Sequence, residues 1–438
     1  MTSGRGEIEP RRSLDDLGMT MIQQRWDQPD ISDITSKVRG ELERLGALDD
    51  VQRGDEIAIT AGSRGIGSIP KVLRAIVAAV GERGGRPFLF PAMGSHGGGT
   101  AEGQRALLAG LGITEETIGA PVRATMEVVR IGEIEEGIPV YLDAMAAQAD
   151  GIIVVNRVKK HTNYDGPIES GLCKMAVIGM GKHRQASTVH RYGNFGLRKY
   201  IPRIAQVTFS RANVLAGLAI IENAWGGVAD LVGLPADEIV EREPDLLMRA
   251  KDLCAKIPFQ EIDIALVERM GKDISGTGMD CYVIGRKRII GEPEWPEAPE
   301  ISSLVVLDLT EASHGNGVGV GLADFTTQRL VDKLDWKATR ANVMTSGNIE
   351  RAKLALVYEN AKAALEAAAF RERHTPLDAL RVVCLCDTLR LSQLLVSPAL
   401  ARQVKAREDL DIVERSLPLR FDENGDWISP FKGGSSRH

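Results

Sequence analysis

The sequence predicts an α/β protein made of two α/β domains with parallel or mixed sheets and an active-site cleft between them. Three observations carry this: the length of 438 residues, the alternation of short β-rich runs with helical stretches, and glycine-rich loops after several of those runs. A chain of this length exceeds what one simple core serves. Strands alternating with helices at this spacing mark parallel or mixed sheets. In such sheets ligands gather beyond the carboxyl ends of the strands.

Residues 1–30 are polar, charged and without pattern, and read as a flexible N-terminal arm. Residues 31–258 read as an N-terminal α/β domain carrying catalysis and cofactor. In it Glu56–Thr60 is a strand, and Lys71–Val80 is a helix entered through Pro70 near its first turn. Pro87–Phe90 is the next strand, residues 101–111 a helix, and Ile152–Asn156 a third strand, apolar enough to be buried on both faces. The stretch Asp237–Lys256 is helical and leaves through Pro258, a natural hinge. Residues 259–415 read as a C-terminal α/β domain with strands at Ile262–Val267, Leu304–Leu309 and Arg381–Leu385, and one long alanine-rich helix over Arg351–Ala369. Residues 416–438 read as a C-terminal tail.

Composition narrows the classes. With 43% hydrophobic residues the chain is not wholly disordered. A formal net charge of -6 argues against a dedicated nucleic-acid binder, which carries a basic face. No window approaches the ~18 consecutive apolar residues of a membrane helix. After Arg11-Arg12 the polar run Ser13–Asp16 stands where a secretory signal is apolar. The expectation is a cytoplasmic protein with no membrane and no nucleic-acid partner. The 46 glycines exceed the average usage of roughly 7% and imply tight turns and backbone approaches to ligands. Five cysteines are an odd, scattered set, unlike a disulfide framework. Cys384 and Cys386 are expected on one face of a strand as buried structural residues.

Four loops carry the chemistry-bearing residues. The first, Ala61–Ser68, contains Ser63, Arg64 and Gly65; its glycines admit a ligand, Arg64 offers a fork for carboxylate or phosphate, and Ser68 is placed to cap the following helix. It has neither a Walker motif nor a clean dinucleotide fingerprint. The second, Pro91–Thr100, sets His96 among glycines at a strand end, where an imidazole suits proton transfer. The third runs from Arg157 through His161, Lys174 and His183 to His190. Apolar neighbours of Lys174 favour loss of its proton and nucleophilic use. Zinc finds no supporting spacing there. The fourth, Arg269–Asp280, brings Lys272 among glycines as an anion grip. His314 stands in a similar but less informative loop, and His374 and His438 receive no role.

Together these loops resemble the lactate racemase (LarA) family over about residues 50–415. The most specific part is Lys159-Lys160-His161, then Glu169-Ser170-Gly171-Leu172-Cys173-Lys174, then His190. The stretch Gly271–Asp280 resembles a homologue branch rather than lactate racemase itself. The resemblance implies a nickel-pincer nucleotide (pyridinium-3-thioamide-5-thiocarboxylic acid mononucleotide) held covalently at Lys174, with His190 as the nickel ligand and His96 and His161 as paired acid and base. It implies an isomerase that racemises or epimerises the C2 centre of a 2-hydroxy acid by hydride transfer to and from the cofactor. Ser63, Arg64 and Gly65 would then lie against the cofactor, and Arg64 and Lys272 against the substrate. Cofactor-making enzymes become implied partners, and homo-oligomer formation is left open.

Two departures bear on the substrate. Lactate-type members carry an acidic residue three positions before the loop arginine, where this chain has Ala61, and the segment from His161 to Lys174 is longer here. Both point to a bulkier or more polar 2-hydroxy acid, sugar acids included. Two other classes stay open: a non-catalytic or sensory binder of an acidic metabolite, and a Schiff-base lyase using Lys174.

Overall fold

The structure, a computed structural model, describes residues 11–431 apart from Arg64 and Ile66. It divides into two compact α/β units, one formed by the chain through Asp27 together with everything from Ala255, the other by Gln28–Cys254. The first unit takes β1 (Met19–Gln24). The second then builds β2 (Glu56–Ala61), β3 (Arg86–Pro91), β4 (Val128–Glu133), β5 (Pro139–Asp143), β6 (Gly151–Arg157), β7 (Val214–Glu222) and β8 (Val228–Leu234). Returning to the first unit, the chain forms β9 (Glu261–Met270), β10 (Glu300–Leu309), β11 (Phe325–Thr327), β12 (Leu356–Tyr358), β13 (Val382–Leu385), β14 (Gln393–Val396) and β15 (Leu410–Leu417).

In the 28–254 unit the sheet order is β3-β2-β6-β7-β8, with only β8 antiparallel to its neighbour, and β4-β5 stands apart as a hairpin. Alternating side chains feed two separate cores, as the two-residue period of a strand requires. Ala58, Ile152 and Val154 pack on one face with Phe88, Ile201 and Ile204. Ile57, Ile59, Ile153 and Val155 pack on the other with Val72, Leu73 and Ile76 of the helix Ile69–Glu82. That helix has Pro70 in its first turn, as expected, but Ser68 at its N-cap makes no side-chain capping bond. Thr100 does cap the helix Ala101–Gly110, accepting from the Gly103 amide at 3.1 Å.

The other unit carries an eight-stranded sheet in the order β12-β11-β10-β9-β13-β14-β1-β15. Strands β9 to β13 run parallel to one another, while β14, β1 and β15 pair antiparallel. The described part of the expected arm over residues 1–30 is therefore not loose: β1 lies between β14 and β15, with Met19 and Ile22 fully buried, while residues 1–10 lie outside the described residues. The tail is corrected likewise, since β15 extends past residue 415 and Trp427 Nε1 donates to Glu268 Oε1 at 2.6 Å. Residues 432–438, with His438, lie outside the described residues.

The single helix expected over Arg351–Ala369 is broken into a 3-10 turn Ile349–Ala352, the strand β12 and the helix Ala361–Arg371. Asn360 imposes the restart: its side chain accepts from the Ala363 amide at 2.9 Å, an N-cap bond that competes with helix continuation. Val357 and Tyr358 before it favour the extended backbone that pairs with β11. Cys384 is buried in β13, whereas Cys386 falls just beyond the strand end and its Sγ accepts from Arg269 Nη2 at 3.1 Å. Among the described residues no helix is long and apolar enough to cross a membrane.

Replacing Ile22, an interior residue of a doubly paired strand, by alanine is expected to destabilise its unit by about 2–5 kcal/mol. Equilibrium denaturation of the full chain should show that loss in the transition of this unit; an unchanged midpoint would mean that β1 does not stabilise the fold.

Candidate functional site

The loops after β2, β3 and β6 leave the same, carboxyl edge of one parallel sheet, so their side chains converge without long reaches. Next to the end of β2, a Cβ on Gly62 would lie 3.2 Å from Met175 Cε and 3.9 Å from Asn156 Oδ1. The Ser63 hydroxyl shares a short hydrogen bond with His96 Nδ1, fixing the plane of that ring. The glycines around His96 have a backbone reason. Gly97 is left-handed at φ 63°, and a Cβ there would fall 2.5 Å from the Gly103 carbonyl carbon.

Beneath this loop lies Lys182, fully buried. Its Nζ donates to the Pro91 carbonyl at 2.5 Å and to Gln104 Oε1 at 3.1 Å, and stands 3.1 Å from Asp143 Oδ2. Gln104 Nε2 in turn donates to the carbonyls of Gly94, at 2.9 Å, and His96, at 3.3 Å. Burial pushes the lysine pKa down and the aspartate pKa up, and each is held back by the charge of the other. Lys182 also holds a left-handed backbone, φ 55°, which for a non-glycine residue costs on the order of 1–3 kcal/mol. The sequence placed no role on Lys182, Asp143 or Gln104; only spatial proximity reveals that they hold the His96 loop.

His161 sits on a loop closed at its base by a pair of backbone bonds between Lys159 and Ser170, at 2.8 and 3.2 Å. Inside the loop the buried Glu169 carboxylate accepts from the amides of His161, at 2.6 Å, and Gly166, at 3.3 Å, and pairs with Lys251 at 2.6 Å. Burial raises the Glu169 pKa, opposed chiefly by the Lys251 ammonium. The Asn163 amide donates to His161 Nδ1 at 3.1 Å, so the neutral ring carries its proton on Nε2. The ring lies on Tyr164, centroids 4.6 Å apart.

Lys174 ends the short helix Leu172–Lys174 and is followed by a π-helical turn over Met175–Gly179, a departure common at functional sites. Cys173, Met175 and Val177 around it are buried and Lys174 itself half-buried. A buried carboxyl, Glu243, accepts from the Cys173 amide at 2.9 Å at the head of this helix. Burial raises its pKa to about 7. Gly171 permits this approach, because a Cβ would fall 2.5 Å from Glu243 Oε1. His190 ends the next helix, Lys182–His190. Its side chain is exposed at the surface, yet loss of solvation first, and the Lys174 charge second, lower its pKa, so Lys174 and His190 are close enough to interact.

The helices Lys182–His190 and Gly193–Arg211 bridge the two histidine loops. A Cβ on Gly99 would lie 3.9 Å from His183 Cδ2, and Asn194 Nδ2 donates to the Asn163 carbonyl at 3.1 Å. Ser63, His96, His161, Lys174 and His190 thus share one end of the 28–254 unit. Gly65 is exposed beside them, and Arg64 lies outside the described residues. Lys272 belongs to the other unit, where its ammonium donates to the Gly276 carbonyl at 2.7 Å and to Asn342 Oδ1 at 2.9 Å. Among the described residues, no group of three or more histidine, cysteine or carboxylate side chains is arranged to hold a metal ion.

No protein-family model and no curated protein matches this chain. Among solved structures it is similar to a protein from Thermotoga maritima, at 14% identity over 64% of this chain and 72% of that one, with a TM-score of 0.47. It is also similar to the lactate racemase apoprotein from Thermoanaerobacterium thermosaccharolyticum, at 12% identity over 78% of this chain and 87% of that one, with a TM-score of 0.46.

Lys182→Met strands the buried Asp143 charge and is expected to destabilise by about 3–5 kcal/mol. Adding Asp143→Asn should recover a large part of that loss in a double-mutant cycle read by chemical denaturation; additive losses would show that the pair is not coupled. Glu243 supplies a pH test. A carboxyl with a raised folded pKa contributes stability in full below its unfolded pKa and loses it as the pH climbs through the folded value. Relative to Glu243→Gln, the wild-type protein should therefore lose on the order of 3 kcal/mol between about pH 4.5 and a little above pH 7. A difference that stays flat over that window would contradict the raised pKa.

Proposed function

We propose that this chain is an isomerase that inverts the C2 centre of a 2-hydroxy acid, with a nickel-pincer nucleotide attached at Lys174. The observation that carries the reading is the gathering of two histidines on separate loops, His96 and His161, with a neighbouring lysine and histidine, Lys174 and His190, at one edge of a single sheet. The residues fit such a group: a half-buried primary amine, the functional group that covalent attachment requires, lies close to a histidine, a side chain that ligates metals. When bound, the group supplies an acceptor for the substrate α-hydrogen as hydride.

The chain's own residues supply the proton chemistry. Inverting C2 requires the hydroxyl proton to leave while the carbon becomes planar, and to return when hydrogen is delivered to the opposite face. A base on each side serves either enantiomer. His96 is oriented by Ser63 and backed by the Gln104–Lys182 bonds to its loop. His161 is held by Glu169 through its backbone and by Asn163 at Nδ1, which leaves Nε2 as the position that carries or releases the proton. Arg64 is the group we assign to the substrate carboxylate, with Ser63 and Gly65 beside the cofactor, and Lys272 is kept as a candidate substrate-binding residue of the other unit. The cytoplasm is the proposed setting, since it is where the cofactor-making enzymes would meet the chain.

The test begins with intact mass and nickel content after co-expression with those enzymes, followed by exchange of the substrate α-hydrogen across a panel of 2-hydroxy acids. A mass increment on Lys174 that disappears in Lys174→Ala is expected. His96→Ala should keep the increment and lose turnover by about 100-fold or more, the usual range for a general acid or base. An unmodified chain from cells that make the cofactor would refute the assignment, leaving a sensory binder of an acidic metabolite; borohydride trapping of a carbonyl compound at Lys174 would instead favour a Schiff-base lyase.

A further inference from the structure

A cavity of about 690 Å³ opens beside the candidate site, between the turn of the β4-β5 hairpin and the outward face of the helix Lys182–His190. This volume falls in the range of roughly 300–1,000 Å³ typical of small-molecule sites. His183, Arg184, Ser187 and Arg191 line it on the helix side, and Tyr141 on the hairpin side. On an α-helix, positions 183, 187 and 190 lie on one stripe, so two residues of the cavity wall share a helix face with His190. His183 also borders the glycine loop of His96, close to Gly99. The cavity therefore borders the candidate site through His183.

Its chemistry is cationic. Arg184 lies over the Tyr141 ring, 4.8 Å from the centroid, a cation–π contact at the cavity wall. Among the described residues, neither Arg184 nor Arg191 has a carboxylate partner, although most arginines on this unit do. The acidic residue of the wall, Glu136, is already neutralised by Lys199 at 3.3 Å and by Arg203. Two unpaired guanidinium groups in a concave, hydroxyl-bearing pocket suit an anion with planar or tetrahedral oxygens.

We propose that this cavity is a distal anion subsite, and that the substrate is a 2-hydroxy acid bearing a second anionic group, a carboxylate or phosphate, which Arg184 and Arg191 hold. The assignment rests on the proposed function for the position of C2, but not for the binding of the distal anion. Calorimetry on the full chain without cofactor compares malate and 3-phosphoglycerate, which carry a second carboxylate or phosphate, with glycerate and 2-hydroxybutyrate, which do not. The dianions are expected to bind about tenfold or more tightly than the neutral-tailed acids, and the tighter of the two identifies the anion. In Arg184→Gln/Arg191→Gln that ratio should collapse to within about twofold, with the neutral-tailed acids as the internal reference against misfolding. Equal affinities in the wild-type chain, or a ratio that survives the double substitution, would overturn the subsite. Failure of the loaded protein to exchange α-hydrogen would refute the isomerase reading alone, because the binding ratio is read without turnover.

Discussion

Lys182 is the constraint on which the candidate site depends. A fully buried ammonium has few stable arrangements, because each of its three donors needs an acceptor and its charge needs a counter-charge. Here those demands are met by the end of β3, by the end of β5 and by Gln104 from the following helix. Meeting them ties together three segments that are far apart in the sequence. It also starts the helix that ends in His190, so the positions of His96 and His190 are fixed by one side chain. The left-handed backbone at Lys182 is the strain accepted for that arrangement.

The two buried carboxyls nearby show how environment divides their roles. Glu169 has a lysine partner and two amide donors and serves as an anionic anchor for the His161 loop. Glu243 sits at the head of the Lys174 helix without a cation, so burial dominates and its pKa rises to about 7. Lys174 therefore stands on a helix whose head group gains and loses a proton near physiological pH. Burial raises both carboxyls, and the lysine partner that opposes it at Glu169 is what Glu243 lacks.

Much of this was legible from the chain. The strand runs at Glu56–Thr60, Pro87–Phe90 and Ile152–Asn156 appear as β2, β3 and β6, since continuous apolar runs between glycines have few alternatives inside a parallel sheet. The loops that follow them are where the titratable residues gather. The supporting polar groups were not legible: Lys182 reads as one more lysine in a basic stretch, and Asp143 as the end of an ordinary strand. Only the fold reveals that they meet. The break at Asn360 is not legible in the sequence, because alanine-rich helix propensity outweighs a single capping residue, whereas in the structure strand pairing to β11 decides. The burial of β1 is hidden for a related reason. Its six residues carry a weak pattern, and their partners lie near the other end of the chain.

That last arrangement governs the order in which the molecule can assemble. Residues 28–254 form a contiguous unit whose sheet pairs only with itself, so it can fold as soon as it has emerged from the ribosome. The other unit cannot: Thr20 pairs with Val396 and Gln24 with Leu410, so β1 has neither neighbour until those residues have been synthesised. Through that interval β1 carries both edges unpaired, a hazard for association with other chains. The residues that complete its sheet arrive only after the whole 28–254 unit, so the site-bearing unit can form first.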